Sequence, residues 1–142
     1  MNGGQALDIL DRQQCLNLLT RVRVGRLIFF DDGDPAVHPV NFRLLRNDIV
    51  IRVAGGAKLI AALQHQKVAF QADQLDADLR KGWSVTVVGH ASRLTAIDDL
   101  VTVSGNFVQP WVEGRRDQFV RISSEKVTGR RIFDASPVDP PH

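Results

Sequence analysis

Along the first fifty residues the spacing of apolar positions changes from a helical period to a strand period. Cys15, Leu18, Leu19 and Val22 recur on one helical stripe. Asp11 stands where an N-cap belongs, Gln14 three residues later completes a capping box, and Leu10 with Cys15 has the spacing of a hydrophobic staple. A short helix that turns this stripe to the core is predicted. From Val24 the alternation is two-fold. The runs 24–30 and 36–45, separated by Asp31-Asp32-Gly33-Asp34-Pro35, read as two strands and a turn, because Gly and Asp tolerate the left-handed backbone of tight hairpins. A third run, 48–54, sets Ile49, Ile51 and Val53 against Val50 and Arg52 and extends the pair into an antiparallel meander.

Gly55-Gly56 breaks that strand, and 57–66 has good helix formers with Leu59, Ala62 and Leu63 along one stripe. Strand text resumes at 67–73, the polar stretch 74–82 reads as a loop, and 83–94 is the clearest strand of all. There Trp83, Val85 and Val87 oppose Ser84, Thr86 and Val88, so Val85 and Val87 are expected inside, and Gly89 marks a bulge or a close backbone approach. Thr95 and Asp98 can open a third helix with Ile97, Leu100 and Val101 inward; 104–117 is irregular, and 118–133 supplies the last strand or two. Residues 1–10 are expected to be flexible, and the proline-rich end, 134–142, unstructured. The domain is thus 11–133. About six strands with two or three short helices predict a mainly β fold, a six-stranded antiparallel barrel, because closure removes the edges a small sheet would expose. Side chains fill so small a barrel, and a ligand larger than one amino acid must bind outside it or between two copies.

Composition narrows the chemistry. A length of 142 residues suits one domain. The single cysteine cannot form an internal disulfide and is expected as a buried, apolar-like residue, while the scattered His38, His65, His90 and His142 offer no metal spacing. Net charge is +2 with both signs interleaved, which does not call for nucleic acid but suits a small anion held by a few cations. The N-terminus lacks a basic flank followed by an apolar run, and no apolar stretch is long enough to cross a bilayer. A soluble, cytoplasmic protein without membrane or nucleic-acid partners is the expectation.

Candidate chemistry concentrates at Arg52-Val53-Ala54-Gly55-Gly56-Ala57-Lys58, where a strand ends in two glycines, a helix begins, and Lys58 adds a charge. Such a place can hold an anion. The same residues also fit an ordinary strand-to-helix turn with a solvated lysine. No Ser/His/Asp or paired-carboxylate arrangement stands out. His38 and His90 fall on strands, where a packed or hydrogen-bonded role competes with a part in proton transfer; Trp111 is a core plug or a stacking lid. Arg115, Arg116, Arg130 and Arg131 are ligand contacts or a solvated basic face.

The order of "HPVNF" (38–42), "IVIRVAGGAKLIAAL" (49–63), "VAFQAD" (68–73), "GWSVTVVGHASRL" (82–94), "PW" (110–111) and "VTGRRI" (127–132) resembles the flavin-binding split barrels related to pyridoxamine 5′-phosphate oxidase, and most of all the subgroup with the nitroimidazole-resistance proteins. The resemblance runs from Asp11 to Ile132. It implies a homodimer that binds FMN, or alternatively a deazaflavin, and acts as a flavin-dependent oxidoreductase on a small molecule; a non-catalytic flavin- or haem-binding module is the other branch. By the same resemblance Arg52 and Lys58, with the adjacent Val53 and Leu59, would hold the phosphate. Pro39, Val40 and Asn41 would line the ring edge, and Trp83 and Ser84 would approach from the dimer seam. The chain ends without the arginine and histidine segment that grips pyridoxal phosphate in true pyridoxamine-phosphate oxidases, so oxidation of pyridoxamine itself is not expected.

Overall fold

One long strand that changes partners along its length organises the sheet. The computed structural model describes residues 5–54, 56–78, 80–106 and 117–134. Among them run β1 (Gln5–Leu10), α1 (Arg12–Leu19), β2 (Val24–Asp31), β3 (Asp34–Leu45), β4 (Asp48–Ala54), α2 (Ala57–Leu63), β5 (Lys67–Asp76), β6 (Lys81–Arg93), α3 (Ile97–Asn106), β7 (Asp117–Ile122) and β8 (Lys126–Asp134). Six strands, in the order β6-β5-β2-β3-β4-β7, close into an antiparallel ring when β7 returns to β6, and β8 and β1 extend the sheet from the other part of β6. One edge of β6 pairs with β5 from Lys67↔His90 to Asp76↔Lys81. Its other edge serves β8 from Gly82↔Ile132 to Val88↔Lys126 and then β7 from Ala91↔Ile122 to Arg93↔Val120. The six-stranded split barrel expected from the sequence is therefore present, with two further strands and three helices.

The connector between β7 and β8 crosses β6 at the changeover, where Ser123 N–H donates to His90 O at 3.2 Å and Glu125 N–H to Val88 O at 3.2 Å. Asp48 accepts from Ser124 N–H (2.9 Å), Arg12 donates to Ser124 O (2.8 Å) and Ser124 Oγ donates to Asn47 O (2.6 Å). Ser124 is buried with its polar groups paired, as a buried hydroxyl requires.

Strand alternation turns Leu27, Phe29, Phe42, Ile51, Phe70, Val85 and Val87 inward, and all are buried in the main core. A smaller cluster of Leu45, Val50, Leu94, Val103 and Phe119 lies between the outer side of the β3–β4–β7 strands and α3. α1 packs on β8 and β6. Its capping box is formed as predicted, with Gln14 N–H on Asp11 (2.8 Å) and Asp11 N–H on Gln14 (2.9 Å). Cys15 is fully buried against Gly129, where a side chain on β8 would run into its sulfur. Burial first, and then the Asp11 charge, push the thiol above its ordinary pKa, so it stays protonated and inert. Native protein should resist a maleimide that labels Cys15 within minutes in denaturant; equal labelling of the native state would contradict this packing.

Three local expectations fail for physical reasons. Within the first ten residues, expected to be flexible, the described part forms β1, which pairs with β8 from Gln5↔Asp134 to Leu10↔Gly129. It is an edge strand with a single neighbour, and Ile9 on it is 83% exposed, so no buried alternation announces it. Residues 74–82 are a loop only at their centre: β5 runs on to Asp76 and β6 starts at Lys81, forming a hairpin whose end is wet enough to carry polar residues. α3 is rotated from the orientation expected. Ile97 and Val101 are exposed, while Val103 is buried and the half-buried Leu100 packs on the smaller cluster. Gly55, Trp111, Arg115, Arg116 and residues 135–142 lie outside the described residues. Among the described residues no helix is long and apolar enough to cross a membrane.

Candidate functional site

The outer sides of β3, β2, β5, β6 and β8 form one continuous face whose rows follow from register. Pro39 stands opposite Arg26, Arg26 opposite Gln71, Gln71 opposite Thr86, and Thr86 opposite Thr128. In the next row Asn41 opposes Val24, and Asp73, Ser84 and Arg130 run across β5, β6 and β8. Alternation thus brings polar residues of five strands to one surface. Arg26 donates to Gln71 (2.8 Å) and pairs with Asp73 (3.3 Å), while the Gln71 amide donates to Asp73 (2.8 Å) and to Ser84 Oγ (3.1 Å). A depression of about 200 Å³ opens beside Ser84, Thr86, Thr128 and Arg130.

Three arginines add a concentrated positive charge on the β3–β4 side. Arg43, two residues beyond Asn41 and therefore on the same side of β3, donates to Phe42 O at 2.6 Å. Burial, and then the nearby charges of Arg23 and Arg52, pull its guanidinium below the ordinary arginine pKa. A guanidinium whose charge is disfavoured by burial and by two like charges nearby marks a place that suits an anion. Arg52 was expected here from the sequence. Arg23 and Arg43 were not, although the alternation through Asn41, Arg43 and Leu45 gave the signal.

The other sequence candidates divide by face. Pro39 and Asn41 are exposed on the outer side, and Ser84 is in the polar network. Val53 is buried in the core, and Val40 and Leu59 pack against it, so their side chains support the wall instead of lining the surface. Lys58 is exposed on the first turn of α2, a short helix whose Gly56 cap has no side-chain bond. Trp83, 5% exposed, sits on the opposite side of β6 from Ser84 and looks toward α1. His38 meets Phe29 edge-on, with ring centres 5.0 Å apart. His90 Nδ1 lies 2.8 Å from Glu125, whose carboxyl is held below its usual pKa first by the Ser123 hydroxyl and then by His90. Ser123 bonds the carboxylate and not the imidazole, so these three do not make a nucleophile and its base.

A split barrel with a polar, arginine-flanked outer face is the class of protein this structure defines. The model of the family described as pyridoxamine 5′-phosphate oxidase matches residues 11–131. The chain belongs to that family. An uncharacterized protein of Mycobacterium tuberculosis is 34% identical over 128 residues, covering 87% of this chain and 84% of its own length. The FAD binding protein from Mycobacterium smegmatis has the same fold with a TM-score of 0.78 at 32% identity, over 89% of this chain and 98% of its own. A FAD-binding protein from Mesorhizobium loti follows at a TM-score of 0.68 and 25% identity, over 91% and 98% of the two chains.

Proposed function

We propose that this chain binds a flavin nucleotide on the polar outer face and works as a flavin-dependent oxidoreductase on a small molecule. The observation that carries the reading is the arginine cluster of Arg23, Arg43 and Arg52 beside an exposed polar sheet. FMN pairs a phosphate for that cluster with a planar ring able to lie on that sheet. FAD, bound by the M. smegmatis and M. loti relatives, offers the same phosphate within a larger group. Arg52, Arg43 and Lys58 hold the phosphate; Pro39, Asn41 and Ser84 flank the ring. Bound flavin supplies the electron or hydride transfer, and the protein supplies orientation and exclusion of water.

The active unit in this reading is a homodimer. Val24, Phe30 and Val37 are 56%, 58% and 58% exposed on the outer side of β2 and β3, next to the polar row. A second copy would cover them and enclose the ring. The test is an absorbance spectrum of purified protein, chromatography of the ligand released by heat, and light scattering of the loaded form. A yellow dimer that releases FMN, FAD or a deazaflavin and is bleached by a reduced nicotinamide or deazaflavin is expected. A protein that takes up none of these ligands overturns the proposal, and a loaded protein inert to every reductant reduces it to a cofactor carrier.

A further inference from the structure

The depression between β6 and β8 is built from two neighbouring cross-strand pairs, Ser84 with Arg130 and Thr86 with Thr128, and alternation sends all four side chains to the outer face. The Gly129 backbone lies between the pairs. Ser84 and Thr86 are half-buried, and Thr128 and Arg130 are exposed. Among the described residues Thr86, Thr128 and Arg130 have no side-chain hydrogen bond or ion pair, while Ser84 Oγ accepts from the Gln71 amide at 3.1 Å and keeps its own proton free. The unpaired Thr86 hydroxyl is not one of the sealed-off side-chain polar atoms, so it opens to the surface. Nearby charge favours an anion. The carboxylate in this row, Asp73 next to Ser84 on β5, is already engaged by Arg26 at 3.3 Å and by the Gln71 amide at 2.8 Å. Lys126, two residues from Thr128 on the same side of β8, adds a second cation, and its neighbour Glu125 is held by His90 at 2.8 Å and by Ser123. On β1 the residue opposite Arg130 is Ile9, which brings no charge.

We infer that this depression binds the carboxylate end of a small organic acid and, resting on the flavin reading, that this acid is the substrate. Hydroxyls donate or accept, but a guanidinium only donates, so the four groups together suit an acceptor with negative charge. The Arg130 fork supplies two N–H donors, and Thr86 and Thr128 supply one O–H each, which matches the lone-pair positions of a carboxylate and leaves the Ser84 hydroxyl in reserve. One guanidinium balances one negative charge, which favours a carboxylate over a phosphate dianion. A volume of about 200 Å³ is smaller than a whole small-molecule site, so the depression takes the charged end and leaves the body of the ligand on the adjoining sheet. Ser84 joins the two sites. It is one corner of the depression and flanks the proposed ring, so an acid seated on Arg130 extends along the face toward the flavin. The arginine cluster on the β3–β4 side and the carboxylate site on the β6–β8 side then hold two different anions, with β2 and β5 between them.

The experiment titrates the isotope-labelled full chain, ligand-free and flavin-loaded, with benzoate, with benzamide as its neutral counterpart, and with inorganic phosphate. In the ligand-free chain benzoate is expected to shift the Gly129 amide and the Thr86 and Thr128 methyl resonances saturably, with benzamide about tenfold weaker and phosphate also weaker than benzoate. Arg130→Gln should weaken benzoate by about tenfold, and Thr128→Val, which keeps the β-branched shape, by about fivefold, the loss of one ionic and one neutral hydrogen bond. Arg131→Gln changes the next residue, on the opposite face of β8, and should leave the titration as it was. In the loaded protein benzoate should shift the flavin absorbance bands with the same dependence on Arg130. Benzoate that leaves those resonances in place, that binds no better than benzamide or phosphate, or that weakens as much in Arg131→Gln as in Arg130→Gln overturns the inference. Binding that never perturbs a bound flavin overturns the assignment to the substrate. Arg130-dependent binding by a chain that takes up no flavin upholds the carboxylate site and overturns the flavin reading alone.

Discussion

Replacing Gly89 by alanine is expected to lower the melting temperature by roughly 10 °C, the equivalent of about 3 kcal/mol in a domain of this size. Gly89 lies on β6 where the strand leaves β8 and takes up β7, and the connector 123–125 passes directly over it. A Cβ there would fall inside the carbonyl oxygen of Ser123, a backbone atom that cannot rotate away. Moving it means moving Ser124 as well, which is tied to Asp48, Asn47 and Arg12. The strain therefore spreads through the closure of the barrel instead of being absorbed by one side chain. Gly33 is the control. It has φ +83° with nothing near its missing Cβ, so Gly33→Ala should cost only about 1 kcal/mol of backbone strain. If Gly89→Ala melts no lower than Gly33→Ala, the connector does not cross β6 as closely as described.

That close approach was readable in the residues, as one of two meanings of a glycine inside the strongest strand pattern. So were the capping box of α1, the burial of Val85 and Val87, and the antiparallel closure, because each depends on local spacing or on alternation over a long strand. β1 was not, since its stability comes from one neighbour more than a hundred residues away and not from a buried face of its own. The facing of α3 failed for a related reason. Ile97, Leu100 and Val101 are as good a stripe as Leu100 and Val103, and only the cluster beneath the helix, Leu45, Val50, Leu94 and Phe119, decides between them. At the candidate site, the sequence pointed to the end of β4, but charge accumulates through tertiary neighbours. Arg43 and Arg52 lie on β3 and β4 and Arg23 in the bend just before β2, so the three meet only when these strands pair. Trp83 and Ser84, read together from the resemblance, fall on opposite faces of β6 by the alternation of that strand.

Arg43→Met is expected to weaken FMN binding by about tenfold to a hundredfold, because an ionic hydrogen bond to phosphate contributes roughly 1.5–3 kcal/mol. Methionine keeps much of the apolar stem and removes the charge, so packing beside Phe42 is largely preserved. The unliganded protein should respond in the opposite direction. Arg43 is held partly buried with Arg23 and Arg52 close enough to depress its pKa, and removing its charge relieves that repulsion. Ligand-free Arg43→Met should therefore melt no lower than wild type at neutral pH and low salt, and added salt should raise the melting temperature of wild type more than that of the variant. Arg52→Met and Lys58→Ala should weaken FMN in the same sense. Riboflavin, which lacks the phosphate, should bind wild type and variants alike. Titrating both ligands into each protein by flavin fluorescence, with melting curves of the ligand-free forms, measures the two effects separately. Equal losses for FMN and riboflavin would show that the substitutions disturb the ring site or the fold, and unchanged FMN affinity across all three variants would overturn the phosphate role of these residues and make Arg130, beside Ser84 in the outer-face depression, the next candidate.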